Sequence, residues 1–317
     1  MLNNKLKLLR NIVFYFFVFF IALIIIFFAI NILIEPQIKK NLAVYSKISS
    51  NYGNRLKHFF NNFFTFKSGI IYSFELSNAQ NNIFLLYINQ FKWTFLLSFL
   101  IFIFSFILGN ILGITSAYKI NKSFDVLISI FISFLGALPL LIIALLALTN
   151  SSIFGYPSQF LNNKFTFVSI LVPILISSFP TVAIFFSKSR KRTLEILKSD
   201  YYLFGKTIGL NKKQLLRKIV FKQLFISELN LFFLIYVLLF TVTILIERIF
   251  SIPGQSLLIS FAFQKGELDI IMFYFTFNFV LLSILLIINK LLIQKLNPIL
   301  IKKSFIKIKN KKRGLYE

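Results

Sequence analysis

Few side chains in this 317-residue chain are equipped for bond-making chemistry. It has no Cys, which excludes thiolate nucleophiles, thiolate metal sites and disulfides. His58 is its one histidine, too few for a His-rich metal centre, and reads as a surface residue. Gly205-Lys206-Thr207 looks like the end of a phosphate-binding loop. That motif needs Gly where Asp200 stands, and no strand precedes it, so nucleotide binding is not expected here. The acids Asp125, Glu228 and Asp269 fall at the edges of apolar runs that otherwise carry almost no charge. Ionisable groups inside a membrane mark proton relays and ion sites. The expectation is therefore no buried acid along the spans, no catalytic residue, no metal and no cofactor. What the chain offers instead is contact chemistry, concentrated in residues 188–227, which hold 11 basic residues among regularly spaced apolar ones.

The elements that must position that segment are long and apolar. Hydrophobic residues make up 57% of the chain, against about 45–50% in soluble domains. They sit in runs of the length a membrane span needs, about 20 residues. Six such runs are predicted: Ile12–Ile34, Phe91–Tyr118, Val126–Leu148, Phe165–Phe186, Leu229–Ile246 and Ile270–Ile288. The first is longer than a secretory signal and ends at Ile34-Glu35-Pro36 without a small-residue cleavage site, so it reads as an uncleaved span. Pro139, Pro173 and Pro180 lie within spans as candidate kinks. The fold class expected is an all-α integral membrane protein. Its division is residues 1–34 as tail and first span, 35–90 as an extracytoplasmic loop, 91–295 as a five-helix core, and 296–317 as a basic tail.

Lys and Arg number 35 against 10 acids, a net charge of +25. In a soluble protein this would suggest nucleic acid, but here the charges flank apolar runs. Orientation and anionic lipid headgroups of the bilayer explain them, and no nucleic acid partner is expected. With both termini cytoplasmic, the inner segments carry 25 basic residues and the outer ones 9. That asymmetry predicts a multi-pass protein of the plasma or inner membrane with both termini inside. No internal repeat is visible, so an inverted-repeat carrier gains no support.

Within 188–227, Leu194, Leu197, Tyr201, Phe204 and Ile208 follow helical spacing. Gly209 is placed to end that helix in a left-handed cap. A second amphipathic stretch follows with Leu215, Leu216 and Ile219. Two short helices around a glycine at the membrane surface make a docking element for a cytoplasmic partner. The residues alone also fit an ordinary basic loop. Elsewhere Gly109 and Gly113 form a small-residue helix-packing pair whose partner is either an internal helix or a second subunit. Pro253-Gly254 predicts a tight turn after the fifth span, with Leu257, Leu258 and Ile259 dipping back toward the bilayer.

Two of these blocks carry a family resemblance. Glu195, Leu197, Asp200, Tyr201, Gly209 and Leu210 stand at the spacing of the coupling loop of binding-protein-dependent ABC permeases, most similar to the peptide and nickel branch. The Glu and first Ala of the general motif fall on Leu203 and Phe204, the second Ala on Gly205, and its later Pro on Lys222. A second block, with Glu247, Phe250, Pro253, Gly254 and Leu258, resembles the same branch's signature at the outer end of the fifth span, Ser256 replacing a Gly. The resemblance covers roughly residues 90–300. It implies a type I importer permease fold with an extra first helix, pairing with a second permease subunit, and energy from two cytoplasmic ABC ATPase subunits. An extracytoplasmic peptide-binding protein would deliver substrate, either oligopeptide, dipeptide or nickel. It further implies that Glu195, Asp200, Tyr201, Phe204, Gly205, Gly209 and Leu210 couple to an ATPase. The alternative is a secondary carrier or channel with no ATPase.

Overall fold

A computed structural model of the chain describes residues 2–79, 81–161 and 165–296. Every regular element among them is helical. In chain order they are α1 (Leu2–Lys40), α2 (Leu42–Tyr45), α3 (Tyr52–Phe64), α4 (Phe74–Ala79), α5 (Ile83–Tyr118), α6 (Ser123–Ala137) and α7 (Leu140–Thr149). There follow α8 (Ser151–Phe154), α9 (Thr166–Leu197), α10 (Asp200–Thr207), α11 (Lys212–Leu215), α12 (Phe221–Ile249), α13 (Gln255–Lys265) and α14 (Leu268–Leu296). A single π-turn, Leu216–Val220, joins α11 to α12. Helix is what lipid demands, because no water is present to satisfy backbone N–H and C=O groups left open. Of the basic tail predicted over 296–317, all but Leu296 lies outside the described residues.

Among the described residues, five stretches are long and apolar enough to cross a bilayer: Phe17–Lys40, Ile83–Tyr118, Thr166–Leu197, Lys212–Ile249 and Leu268–Leu296. The sixth predicted span, Val126–Leu148, is not one rod. It is the pair α6–α7, bent by 86°. The cause is local: Pro139 has no N–H to donate, and Leu138 before it is extended at ψ 133°. Pro173 and Pro180 do not break α9, which runs through both. There the Ser177 hydroxyl donates to the Pro173 carbonyl at 2.6 Å, a local repair of the kind membrane helices use. The helices also outrun their apolar cores. α5 has 36 residues, about 54 Å, against a hydrocarbon thickness of about 30 Å.

The chain divides into two compact units. The first combines residues Met1–Trp93 with Pro253–Leu281. Its centre holds Tyr87, fully buried, whose hydroxyl donates to Gln255 Oε1 at 2.7 Å and accepts from Asn278 Nδ2 at 3.0 Å. Rings of Phe91, Phe273 and Phe277 surround it. Acids at the start of α14 hold the chain before α4: Asp269 accepts from the Ile70 N–H at 2.8 Å, and Glu267 from those of Tyr72 and Ser73. Burial, reinforced by the neighbouring Asp269 and Glu267 carboxylates, pushes the Tyr72 phenol above its ordinary range.

The second unit combines Thr94–Ile252 with Leu282–Glu317. Phe102 and Phe106 of α5 meet Phe185 of α9 and Phe232 of α12 edge to face, with centroids 5.2–5.8 Å apart. That geometry adds to the simple burial of the rings. At the end of α5 and the start of α6, Asp125 takes a two-pronged ion pair from Arg190 of α9, each N–O distance 2.8 Å. Ser116 also donates to Asp125, as does the N–H of Asn121, a residue at φ +60° in the connecting turn.

Candidate functional site

The site grows out of the end of α9. That helix stops at Leu197, and Ser199 turns extended at φ −81°, ψ 148° as the N-cap of α10. The apolar stripe predicted to run through Leu194–Ile208 on one helix is therefore split. The break resets the helical phase, and the side facing inward on α10 is the one bearing Tyr202 and Gly205, both buried. Tyr202 packs into a core of Ile196, Leu215 and Val220, with Leu197, Leu210 and Ile219 against it. Gly205 is held close: a Cβ there would stand 2.8 Å from Leu215 Cδ2 and 3.0 Å from Ile219 Cδ1.

The outward side is apolar. Tyr201, Leu203, Phe204 and Ile208 are 41%, 48%, 65% and 59% exposed. Three large side chains on a helix of eight residues, with Ile208 at its C-cap, amount to a built surface rather than scattered exposure. Asp200 sits in the first turn, where its charge favours the helix N-terminus, and Lys206 in the last. Gly209 adopts φ +84° beyond the end of α10, the left-handed conformation its type allows at least cost. The chain then re-enters helix at Asn211. Its side chain accepts from the Gln214 N–H at 2.9 Å, while Gln214 Oε1 accepts from the Asn211 N–H at 3.0 Å. Asn-x-x-Gln is a readable capping box, and the sequence reading missed it. Gly205-Lys206-Thr207 is the last turn of α10 and not a phosphate-binding loop.

Glu195 lies apart from this surface. It is exposed on α9 and paired with Arg192 one turn earlier at 2.8 Å. Gly109 and Gly113 meet a helix of the same unit. Cβ atoms there would fall 2.6 Å from Phe185 Cβ and 2.7 Å from Ser189 Cβ, with α9 backbone oxygens at 3.0 and 2.8 Å. Of the outer signature, Glu247 and Phe250 are both fully buried. The Glu247 carbonyl accepts from the Ile252 N–H, and that of Phe250 from the Phe160 N–H, each at 2.9 Å. The left-handed residue of this turn is Ser251, at φ +52°. Gly254 does not use its freedom: at φ −91° it is the N-cap of α13, an 11-residue helix where a simple dip of the chain was expected.

The expectation of no buried acid along the spans is corrected: Asp125, Glu228 and Glu247 are all buried. Glu228, predicted to sit just outside the fifth span, is fully buried within the continuous stretch Lys212–Ile249. Hydropathy begins at Leu229, but the helix begins earlier, so Glu228 is drawn inside. Its Oε2 accepts from Asn110 Nδ2 of α5 at 3.0 Å. The Asp125–Arg190 pair was likewise invisible from one sequence, its partners lying 65 positions apart.

Residues 109–302 match the family described as binding-protein-dependent transport system inner membrane component. The dipeptide transport system permease protein DppB of Lactococcus lactis subsp. cremoris is 27% identical over 197 residues, 61% of this chain and 63% of that protein. The oligopeptide transport system permease protein OppB of Mycoplasma genitalium is 24% identical over 184 residues, 55% of this chain and 45% of that protein. The match thus spans less than two thirds of the length of either relative. A chain from a solved structure of an amino acid ABC transporter with histidines superposes with TM-score 0.46 at 15% identity, covering 66% of this chain and 94% of that one.

Proposed function

The chain belongs to the family of binding-protein-dependent transport system inner membrane components, in its peptide branch, and from that premise we propose that it is one of two permease subunits of an ATP-driven peptide importer. It forms half of the translocation pathway and borrows its energy through contact. The observation that carries this reading is the face of α10: Tyr201, Leu203, Phe204 and Ile208 lie outward while Tyr202 and Gly205 anchor the helix from behind. A helix held rigidly at its base with an apolar outer face suits insertion into a groove on a cytoplasmic ATPase subunit. Closure of the ATPase pair would move α10, and α10 is tied through the core of Ile196 and Val220 to both α9 and the π-turn leading into α12. Packed elements pass such a displacement as a rigid-body shift. Gly109, Gly113 and the Arg190–Asp125 pair make α5, α6 and α9 move together. An extracytoplasmic peptide-binding protein supplies substrate, ATP hydrolysis takes place on the two ATPase subunits, and both termini and residues 188–227 are cytoplasmic.

Crosslinking tests the contact cleanly, because the chain has no Cys of its own. A Phe204→Cys variant should crosslink to the ATPase subunit in the assembled complex, and Ser260→Cys on α13 should not. Crosslinking from position 260 alone would reverse the assignment of sides. A second reading, a proton-coupled carrier, is favoured by one observation, the buried Glu228. It requires uptake by the lone chain in liposomes under a proton gradient, lost in Glu228→Gln. The importer reading expects no such uptake and no ATP hydrolysis by the lone chain.

A further inference from the structure

Residues 35–90, predicted as a loop outside the membrane, contain an element that does not stay at the end of α1. α3 runs back along it. At the top, Arg55 pairs with Glu35 at 2.7 Å and donates to Asn31 Oδ1 at 3.3 Å. Further down, Phe59 meets Phe27 with centroids 5.7 Å apart. Lower still, Phe60, Phe63 and Phe64 all meet Phe20 at 5.9–6.2 Å, and Phe63 meets Phe19. From Glu35 to Phe19 is 16 residues of helix, about 24 Å, along the most apolar of the five candidate spans among the described residues. α14 gives an independent ruler. Phe19 stacks on Phe279 at 4.9 Å, ten residues or about 15 Å below Asp269 at its start. α3 itself descends about 12 Å from Arg55 to Phe63, its long side chains bridging the rest, so with the α14 distance its lower end lies up to about halfway through a hydrocarbon core about 30 Å thick.

The other side of α3 is polar. Asn54, Lys57, His58 and Asn61 are all exposed and recur at the spacing of one helical face. Past the end of α3 the backbone leaves helix altogether, with Phe66 at φ +54°, and climbs back to the start of α14, where Gly69 at φ +93° lies against Asp269. These residues, with Asn62 and Lys67, border a 440 Å³ cavity shared with Phe273 and Phe277 of α14. Hydrocarbon tolerates neither feature. A charged side chain at membrane depth faces water or a partner charge, and non-helical backbone at that depth lines a cavity or is buried in protein.

We propose that α3 re-enters the bilayer from outside and that the stripe Asn54–Lys57–His58–Asn61 lines the water-filled outer half of the translocation passage, its aromatic side sealing against α1. This deepens the importer reading by naming pathway-lining residues, and rests on it only for what crosses the passage. The test uses the assembled complex in proteoliposomes. Single Cys variants at Asn54, Lys57, His58 and Asn61, and at Leu56, Phe59 and Phe63 for the packed side, are treated from outside with a small anionic thiol reagent. A maleimide on a long polyethylene glycol is used in parallel. The stripe should react with the small reagent at least about tenfold faster than the packed positions, and Lys57, His58 and Asn61 should escape the bulky one. Equal labelling by both reagents would mean an ordinary outer loop, and labelling by neither would mean burial in lipid or protein; each overturns the proposal. ATP-driven uptake of tetra-alanine by the unmodified complex is measured separately. If uptake fails while the labelling pattern holds, the importer reading falls and the water-lined stripe stands.

Discussion

α10 and α3 are both short amphipathic helices held against longer ones, and they are turned opposite ways. α10 buries Tyr202 and Gly205 and leaves Tyr201, Leu203, Phe204 and Ile208 outside. α3 lays Phe59, Phe60 and Phe63 on α1 and leaves Asn54, Lys57, His58 and Asn61 outside. Amphipathicity alone does not say which face is used for attachment. In the two proposals the outward face names the medium each helix would meet: apolar for a protein groove, polar for water. Their anchors differ as well. α10 is held by apolar packing, and α3 by an aromatic ladder with a nearly buried ion pair at one end.

Breaking the α3 anchor should have the largest effect. Arg55→Ala removes a side chain only 3% exposed and leaves Glu35, 19% exposed, with only the longer 3.7 Å pair to the exposed Lys39; the loss should be about 3 kcal/mol, seen as a lower Tm of the purified protein in nanodiscs. An unchanged Tm would mean that the aromatic contacts alone hold α3. Next comes Gly209→Val at φ +84°, where nothing lies within 4 Å of an added Cβ. Strain is then the whole effect, about 1–2 kcal/mol, and it falls on α10 rather than on the spans. Membrane insertion should persist while peptide-stimulated ATPase activity of the complex drops; full activity would detach α10 from coupling. Asn211→Ala removes one arm of the capping box and should cost about 1 kcal/mol, read as faster amide exchange in residues 212–216 with α3 unaffected. The smallest effect belongs to Glu195→Gln. Its pair with Arg192 is exposed on the Glu195 side and only half-buried on the other, so stability should change by less than about 0.5 kcal/mol. A loss of ATPase binding in that variant with stability intact would extend the docking surface from α10 onto α9.

The sequence by itself determined where the chain is apolar for long enough to span a membrane, and that one amphipathic segment with a helix-ending glycine follows the fourth span. Run length, Lys and Arg bias, and the conformational freedom of Gly209 are local properties, so one sequence carries them. It also carried warnings that could have been read further, such as Asn211-x-x-Gln214 and Pro139 in mid-span. Tertiary structure alone decided the rest. The break at Ser199 ended α9 and began α10 afresh, and packing then chose Tyr202 and Gly205 as the anchor behind the outward Tyr201 and Phe204. Burial of Glu228 depended on Asn110, 118 positions away, and the descent of α3 along α1 on the meeting of Arg55 with Glu35. Such pairings have no period and no fixed spacing. They exist only once packing has chosen which helices touch.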